Sequence, residues 1–169
     1  NSKFKNSKFS SMVDGCTNAA DIANTFAELF NKACTPNNAD LHRLHKDVFD
    51  SKISSYTGFN DMVDDMSVTV EDVEFAISQI KCGKAAGFDD IMVEHVTFAH
   101  PCLIYCLAKL FSLCLHVGFV PDSFGRGIMI PLAKGSEVDG SNSENYRGLT
   151  LSPTISKIFE HVLLKRFNV

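Results

Sequence analysis

Two short apolar stretches, residues 127–134 (GIMIPLAK) and Tyr146–Leu151 (YRGLTL), stand alone among helical patterns, with a polar segment between them. They read as the two strands of one hairpin, and Pro131 implies an edge strand or a bulge, because proline cannot donate to a ladder. A lone hairpin is marginal in water. It must pack on helices of the same chain or on a sheet partner outside it. The pattern therefore predicts an α+β fold, mostly helical, with one β-hairpin.

The helices follow from spacing. Ile22, Phe26, Leu29, Phe30 and Ala33 fall on one face of a helix that the TPNN segment at 35–38 stops. Leu41, Leu44 and Val48 suggest a second, weaker helix, and residues 51–60 read as turn. Thr69 caps a third helix carrying Val73, Ala76, Ile77 and Ile80, with Glu71, Asp72 and Glu74 at its positive end. Gly83 and Gly87 bracket a short basic loop, after which Asp89 or Asp90 is expected to cap a helix through Met92 and Val96. Pro101 opens a long apolar helix that Gly118 closes. Pro153 opens another, carrying Ile155, Ile158, Phe159, Val162 and Leu163. Residues 1–18 read as a linker or frayed end, and residues 1–66 together as an N-terminal extension with one or two helices.

Composition narrows the class. With 45% hydrophobic and 21% charged residues and 14 Phe, the chain is not disordered. Its longest apolar run, from Cys102 to Leu115, is broken by Lys109 and Ser112, so no membrane span is expected. The N-terminus has lysines without an apolar core behind them, which predicts no secretory leader. The lack of an initiating Met suggests a piece of a longer protein. Six cysteines without paired short spacing suit a reducing compartment, where thiols are buried packing groups. Cys102 and Cys106 lie one turn apart near His95 and His100, but no second ligand pair accompanies them, so zinc is not expected. His42 and His45 read as solvated helix-face residues.

Net charge is −4, which argues against a surface that coats nucleic acid throughout. Charge is uneven, though. Residues 61–100 hold two basic and nine acidic side chains, and residues 101–169 hold seven and five. Phosphate contacts should come from the last third, from the first few lysines, or from Lys81 and Lys84. Two-metal polymerase chemistry would need convergent carboxylates on neighbouring strands. Phe88-Asp89-Asp90 is the one candidate turn, yet KAAG precedes it and the helical pattern IMVEHV follows. No catalytic residue and no metal site is assigned.

From Ile77 to Phe167 the motifs form an ordered series. ISQIKCGKAAGFDDIMVEHV carries Lys84, Gly87, Asp89, Ile91 and Glu94; LAKLFSLCLHVGFVPDSF carries Gly118, Pro121 and Phe124. The hairpin and last helix carry Pro131, Lys134, Tyr146, Arg147, Lys157 and Glu160. Each piece alone is weak. In this order they resemble the opening of non-LTR (LINE-type) retrotransposon reverse transcriptases. Phe88 and Asp90 depart from the pattern where Pro and Gly are common, and Gly148 follows Arg147 where many relatives have Pro.

The resemblance implies that residues 67–169 begin a reverse transcriptase domain: its fingers subdomain, without the palm and its catalytic aspartates. The parent would be an RNA-directed DNA polymerase, a nucleotidyltransferase of a transposable element. It would work with an RNA template, a DNA primer, dNTPs and Mg²⁺ (whose ligands are not in this chain). Palm, thumb and an endonuclease domain would complete it, inside the cell, in nucleus and cytoplasm. Lys134 and Arg147 match the hairpin residues that bind the dNTP triphosphate, and Lys81 and Lys84 are candidates for nucleic-acid phosphates. The fragment alone is expected to be inactive. The alternative is a non-enzymatic helical protein-interaction module.

Overall fold

The computed structural model describes residues 10–55, 66–135 and 137–167. Among these the chain is mostly helical, with a two-stranded antiparallel hairpin, an α+β composition. Its elements are α1 (Ala19–Ala33), α2 (Ala39–Ser55), α3 (Val70–Gln79), α4 (Val93–Thr97), α5 (Pro101–Val117), β1 (Ile128–Ala133), β2 (Tyr146–Leu151) and α6 (Thr154–Phe167). They divide into two compact units. One takes residues 10–55 with Met129–Leu149, the other residues 66–128 with 150–167.

The second unit is built on α3, α5 and α6. Thr69 caps α3 as its sequence suggests: its hydroxyl accepts from the Asp72 amide at 3.2 Å, and Asp72 accepts in return from the Thr69 amide at 3.1 Å. Pro101 opens α5 behind a cap that the sequence does not advertise, with His100 Nδ1 accepting from the Cys102 amide at 3.1 Å. Gly118 ends that helix in the left-handed region at φ 66°, a conformation glycine adopts without strain. The faces these elements bury meet in one core of Val68, Val73, Ala76, Val96, Leu107, Ala108, Phe111, Cys114, Ile158, Phe159 and Val162. Ser112 ties the entry of α3 to α5, its hydroxyl accepting from the Val68 amide at 2.8 Å while donating to the Ala108 carbonyl at 2.7 Å.

Asp72 does double duty. Besides its capping role it holds Lys165 at 2.8 Å and Arg166 at 3.6 Å from the end of α6. Burial alone would raise its pKa, but hydrogen bonds from Lys165 and Thr69 more than offset this and hold it below the usual carboxylate value. A carboxylate depressed in the folded state adds stability above its unfolded pKa of about 3.9, and loses it as pH falls through the folded value. Urea unfolding of the native chain and Asp72→Asn should therefore differ most at neutral pH and converge as the pH drops below about 3.9. A difference that grows on acidification would refute this assignment.

The first unit is smaller. Val13, Phe26 and Tyr146 are its buried core, with Ile22, Leu29 and Phe30 packed around them. Phe26 meets the Tyr146 ring edge-on at 4.9 Å. Residues 10–18 are not the linker that their polarity suggests. Val13 is fully buried, the Asp14 amide donates to the Ser141 carbonyl at 2.7 Å, and Asp14 Oδ1 accepts from the Ser143 amide at 3.0 Å. A single buried valine and a carboxylate aimed at loop amides order a stretch that composition alone would leave loose. Residues 1–9 lie outside the described residues.

Two further expectations are corrected. Helix α2 continues through 51–55, where the sequence reads as turn; Ser54 and Ser55 donate to the carbonyls of Asp50 and Lys52 rather than competing for the chain from outside the helix. Residues 56–65 lie outside the described residues. The cysteines are mostly not buried: Cys34, Cys82, Cys102 and Cys106 are exposed, Cys16 is partly so, and Cys114 alone is buried. Cys102, Cys106 and Cys114 lie on α5, where only Cys114 faces inward, and Cys16, Cys34 and Cys82 lie outside the helices.

Candidate functional site

The hairpin carries the two cations singled out above. Its connecting loop, polar and long, is held by its own hydrogen bonds. Asp139 Oδ1 accepts from the Ser141 amide and hydroxyl at 2.9 and 2.7 Å, which keeps its pKa below the usual value, and Asn145 donates to the Asp139 carbonyl at 2.9 Å. Tyr146 is buried at the start of β2, and its hydroxyl donates to the Gly140 carbonyl at 2.9 Å. Alternation along a strand would put Arg147 opposite the buried Tyr146. Arg147 is exposed, as are Gly148, Leu149 and Thr150 after it.

Lys134 follows β1. Its amide donates to the Asn145 carbonyl and its ammonium to the Glu144 carbonyl at 2.7 Å, across the mouth of the loop. Lys134 and Arg147 line one open recess of about 420 Å³, together with Glu144, Tyr146, Gly148 and the α1 residues Leu29, Phe30 and Ala33. Gly148 keeps this wall thin: a Cβ there would sit 2.9 Å from Met129 Sδ and 3.5 Å from the Phe30 ring. The contribution of α1 has no local sequence signal, because α1 reads only as an amphipathic helix ahead of the family-like segment. A larger groove of about 890 Å³ in the same unit, lined by Ile22, Phe26, Phe30, Met129 and Pro131 among others, has no charged residue in its walls. It offers a phosphate no cation.

Lys81 and Lys84 are also exposed, in the loop between α3 and α4. Gly87 and Glu94 of the resemblance motif help to fix the backbone of this loop. Gly83, at φ 76°, donates its amide to Glu94 Oε1, the main cause of a lowered Glu94 pKa. Gly87 is buried against the turn into α6, where a Cβ would lie 3.0 Å from Pro153 Cα and N. The Thr154 hydroxyl donates to the Ile91 carbonyl at 2.5 Å. Neither Asp89 nor Asp90 caps a helix, contrary to the sequence expectation. Asp89 Oδ1 accepts from the Ile91 amide at 3.2 Å in a local turn, and Asp90 takes a left-handed conformation at φ 55°. The helix begins later, at Val93, and His95 Nδ1 accepts from the Met92 amide at 3.2 Å. Lys81 and Lys84 fall in the second unit, Lys134 and Arg147 in the first.

Among the described residues, no three His, Cys, Asp or Glu side chains converge on a point that could hold a metal ion. No helix among them is long and apolar enough to cross a membrane.

Sequence comparison supports the resemblance of this chain to polymerase proteins of non-LTR retrotransposons. Over 100 residues, 59% of this chain, it is 26% identical to the 115 kDa protein in the type-1 retrotransposable element R1DM of Drosophila melanogaster. It is 27% identical over 100 residues to the RNA-directed DNA polymerase from the mobile element jockey of the same organism. The match spans about a tenth of these relatives, 10% and 11% of their lengths. No family model matches the chain.

Proposed function

We propose that this chain is the fingers segment of an RNA-directed DNA polymerase of a non-LTR retrotransposon, and that its hairpin binds the triphosphate of the incoming dNTP. The observation that carries the reading is the recess shared by Lys134 and Arg147, with Arg147 exposed opposite a buried Tyr146. Phosphoryl transfer depends on positioning and on stabilising charge. A guanidinium offers a rigid fork that can bind two phosphate oxygens, and an ammonium offers a point charge on a flexible stem. Lys134 makes one hydrogen bond to a carbonyl through Nζ, which leaves donors for an anion. Lys81 and Lys84 would touch template–primer phosphates from a loop whose backbone is pinned by Glu94 and Gly87.

In this reading Mg²⁺ belongs to the parent enzyme, where it would stabilise the charge that develops in phosphoryl transfer. The described residues of this chain do not fit it, since no carboxylate cluster is present among them. The metal ligands would come from the palm, and no step is assigned to this segment beyond binding and orienting the nucleotide. The thumb, an endonuclease domain and action in the nucleus and cytoplasm complete the proposed parent. The exposed side of α5, with Tyr105, Leu113 and Val117, is the kind of apolar surface that a neighbouring palm would cover.

This chain alone should extend no primer on a primed RNA template with dNTPs and Mg²⁺. Extension above a control without protein would contradict the division of labour between this segment and a palm.

A further inference from the structure

The helix α2 presents an apolar stripe that the rest of the described chain leaves open. Leu41, Leu44 and Val48 are 50%, 58% and 47% exposed, and every described side chain of the helix is exposed. These three residues follow a, d, a spacing over one heptad, with Ser51 and Ser55 at the next two positions of the register, which makes a short seam for a helix pair. The charges beside the stripe are sorted by flank. Asp40 and Asp47 lie one heptad apart on one side, and His45 and Lys52 lie one heptad apart on the other.

We propose that a second copy of this chain covers this face, with the two α2 helices parallel about a twofold axis. In that arrangement the flank of each helix that carries Asp40 and Asp47 meets the partner's flank, on which Lys52 is the cation. Asp47 of one copy faces Lys52 of the other five positions on, and Asp40 stands in the same relation to His45, each contact occurring twice by symmetry. An antiparallel pair would instead set Asp40 and Asp47 against their own counterparts, and like charges there repel. The charge pattern thus selects both the partner and its direction. Phe49 and Ile53 are equally exposed but lie outside the seam.

Sedimentation equilibrium of the full chain from about 1 to 200 μM tests this, a range that brackets weak helix pairing. A monomer–dimer equilibrium is expected in native protein. Leu44→Asp should abolish the dimer, and Asp47→Lys should weaken it about tenfold by setting Lys52 against a like charge at two symmetric places. The double variant Asp47→Lys/Lys52→Asp should restore it. Phe49→Asp, at 62% exposure, and Leu113→Asp on α5, at 58%, are controls that should leave dimerisation unchanged. Helix content by circular dichroism should be the same throughout, since all these positions are exposed. A chain that stays monomeric over the whole range overturns the proposal, as does a dimer that survives Leu44→Asp. So does a dimer that Phe49→Asp dissolves equally well, which would put another face of the helix in the interface.

Discussion

Arg147→Ala, in a polymerase carrying this segment, is expected to lower kcat/KM for dNTPs about 10- to 150-fold while leaving template–primer binding nearly unchanged. The figure corresponds to roughly 1.5–3 kcal/mol, the ordinary cost of losing a hydrogen bond to a charged group. The selectivity of the loss follows from position. Arg147 is exposed on a hairpin face whose other side is fixed by the buried Tyr146, so the substitution removes a charge without disturbing packing. Arg147→Lys should recover only part of the activity, because an ammonium cannot make the planar double contact. Unchanged dNTP kinetics would return Arg147 to the solvated surface. A uniform loss of nucleic-acid affinity, with altered salt dependence, would make it a backbone contact instead.

Phe111→Ala is expected to destabilise the chain by about 3–5 kcal/mol, the range for deleting a buried aromatic side chain. Phe111 is fully buried and meets the rings of Phe159 and Phe124 at 5.0 and 6.5 Å, so truncation leaves a cavity lined by two other aromatics. Leu113, two positions along the same helix, is 58% exposed. Leu113→Ala should change stability by less than about 0.5 kcal/mol, as surface substitutions do. Urea unfolding of the two variants gives the comparison directly. A cost below about 1 kcal/mol at Phe111 would mean that the core around α5 is not the packed cluster described above.

How much of this was legible in the sequence varies with the physics involved. Boundaries set by local chemistry were readable: Thr69 as a cap, Pro101 and Gly118 as the ends of α5, and Tyr146–Leu151 as a strand. What depended on distant partners was not. Val13 is buried because the loop beyond β1 comes back to it, and nothing in the polar run around it announces that contact. Asp89 sits where a helix cap would be plausible, yet the chain delays the helix and spends that carboxylate on a turn beside Gly87, whose closeness to Pro153 is a long-range fact. The cysteines show the limit of periodicity, which finds a helix face without saying whether anything covers it. At the candidate site, sequence supplied Lys134 and Arg147 through a resemblance. It did not supply the wall that Leu29 and Phe30 provide.

If this segment works as the fingers of a polymerase, as proposed, the metal-binding carboxylates lie further along the same polypeptide. Sequencing the transcript beyond the codon for Val169 tests it most directly. An open frame is expected that continues into a strand bearing an Asp and, later, an aromatic-x-Asp-Asp turn between apolar strands, the paired carboxylates that two-metal chemistry needs. A frame that stops shortly after Val169, or continues without those carboxylates, would contradict it.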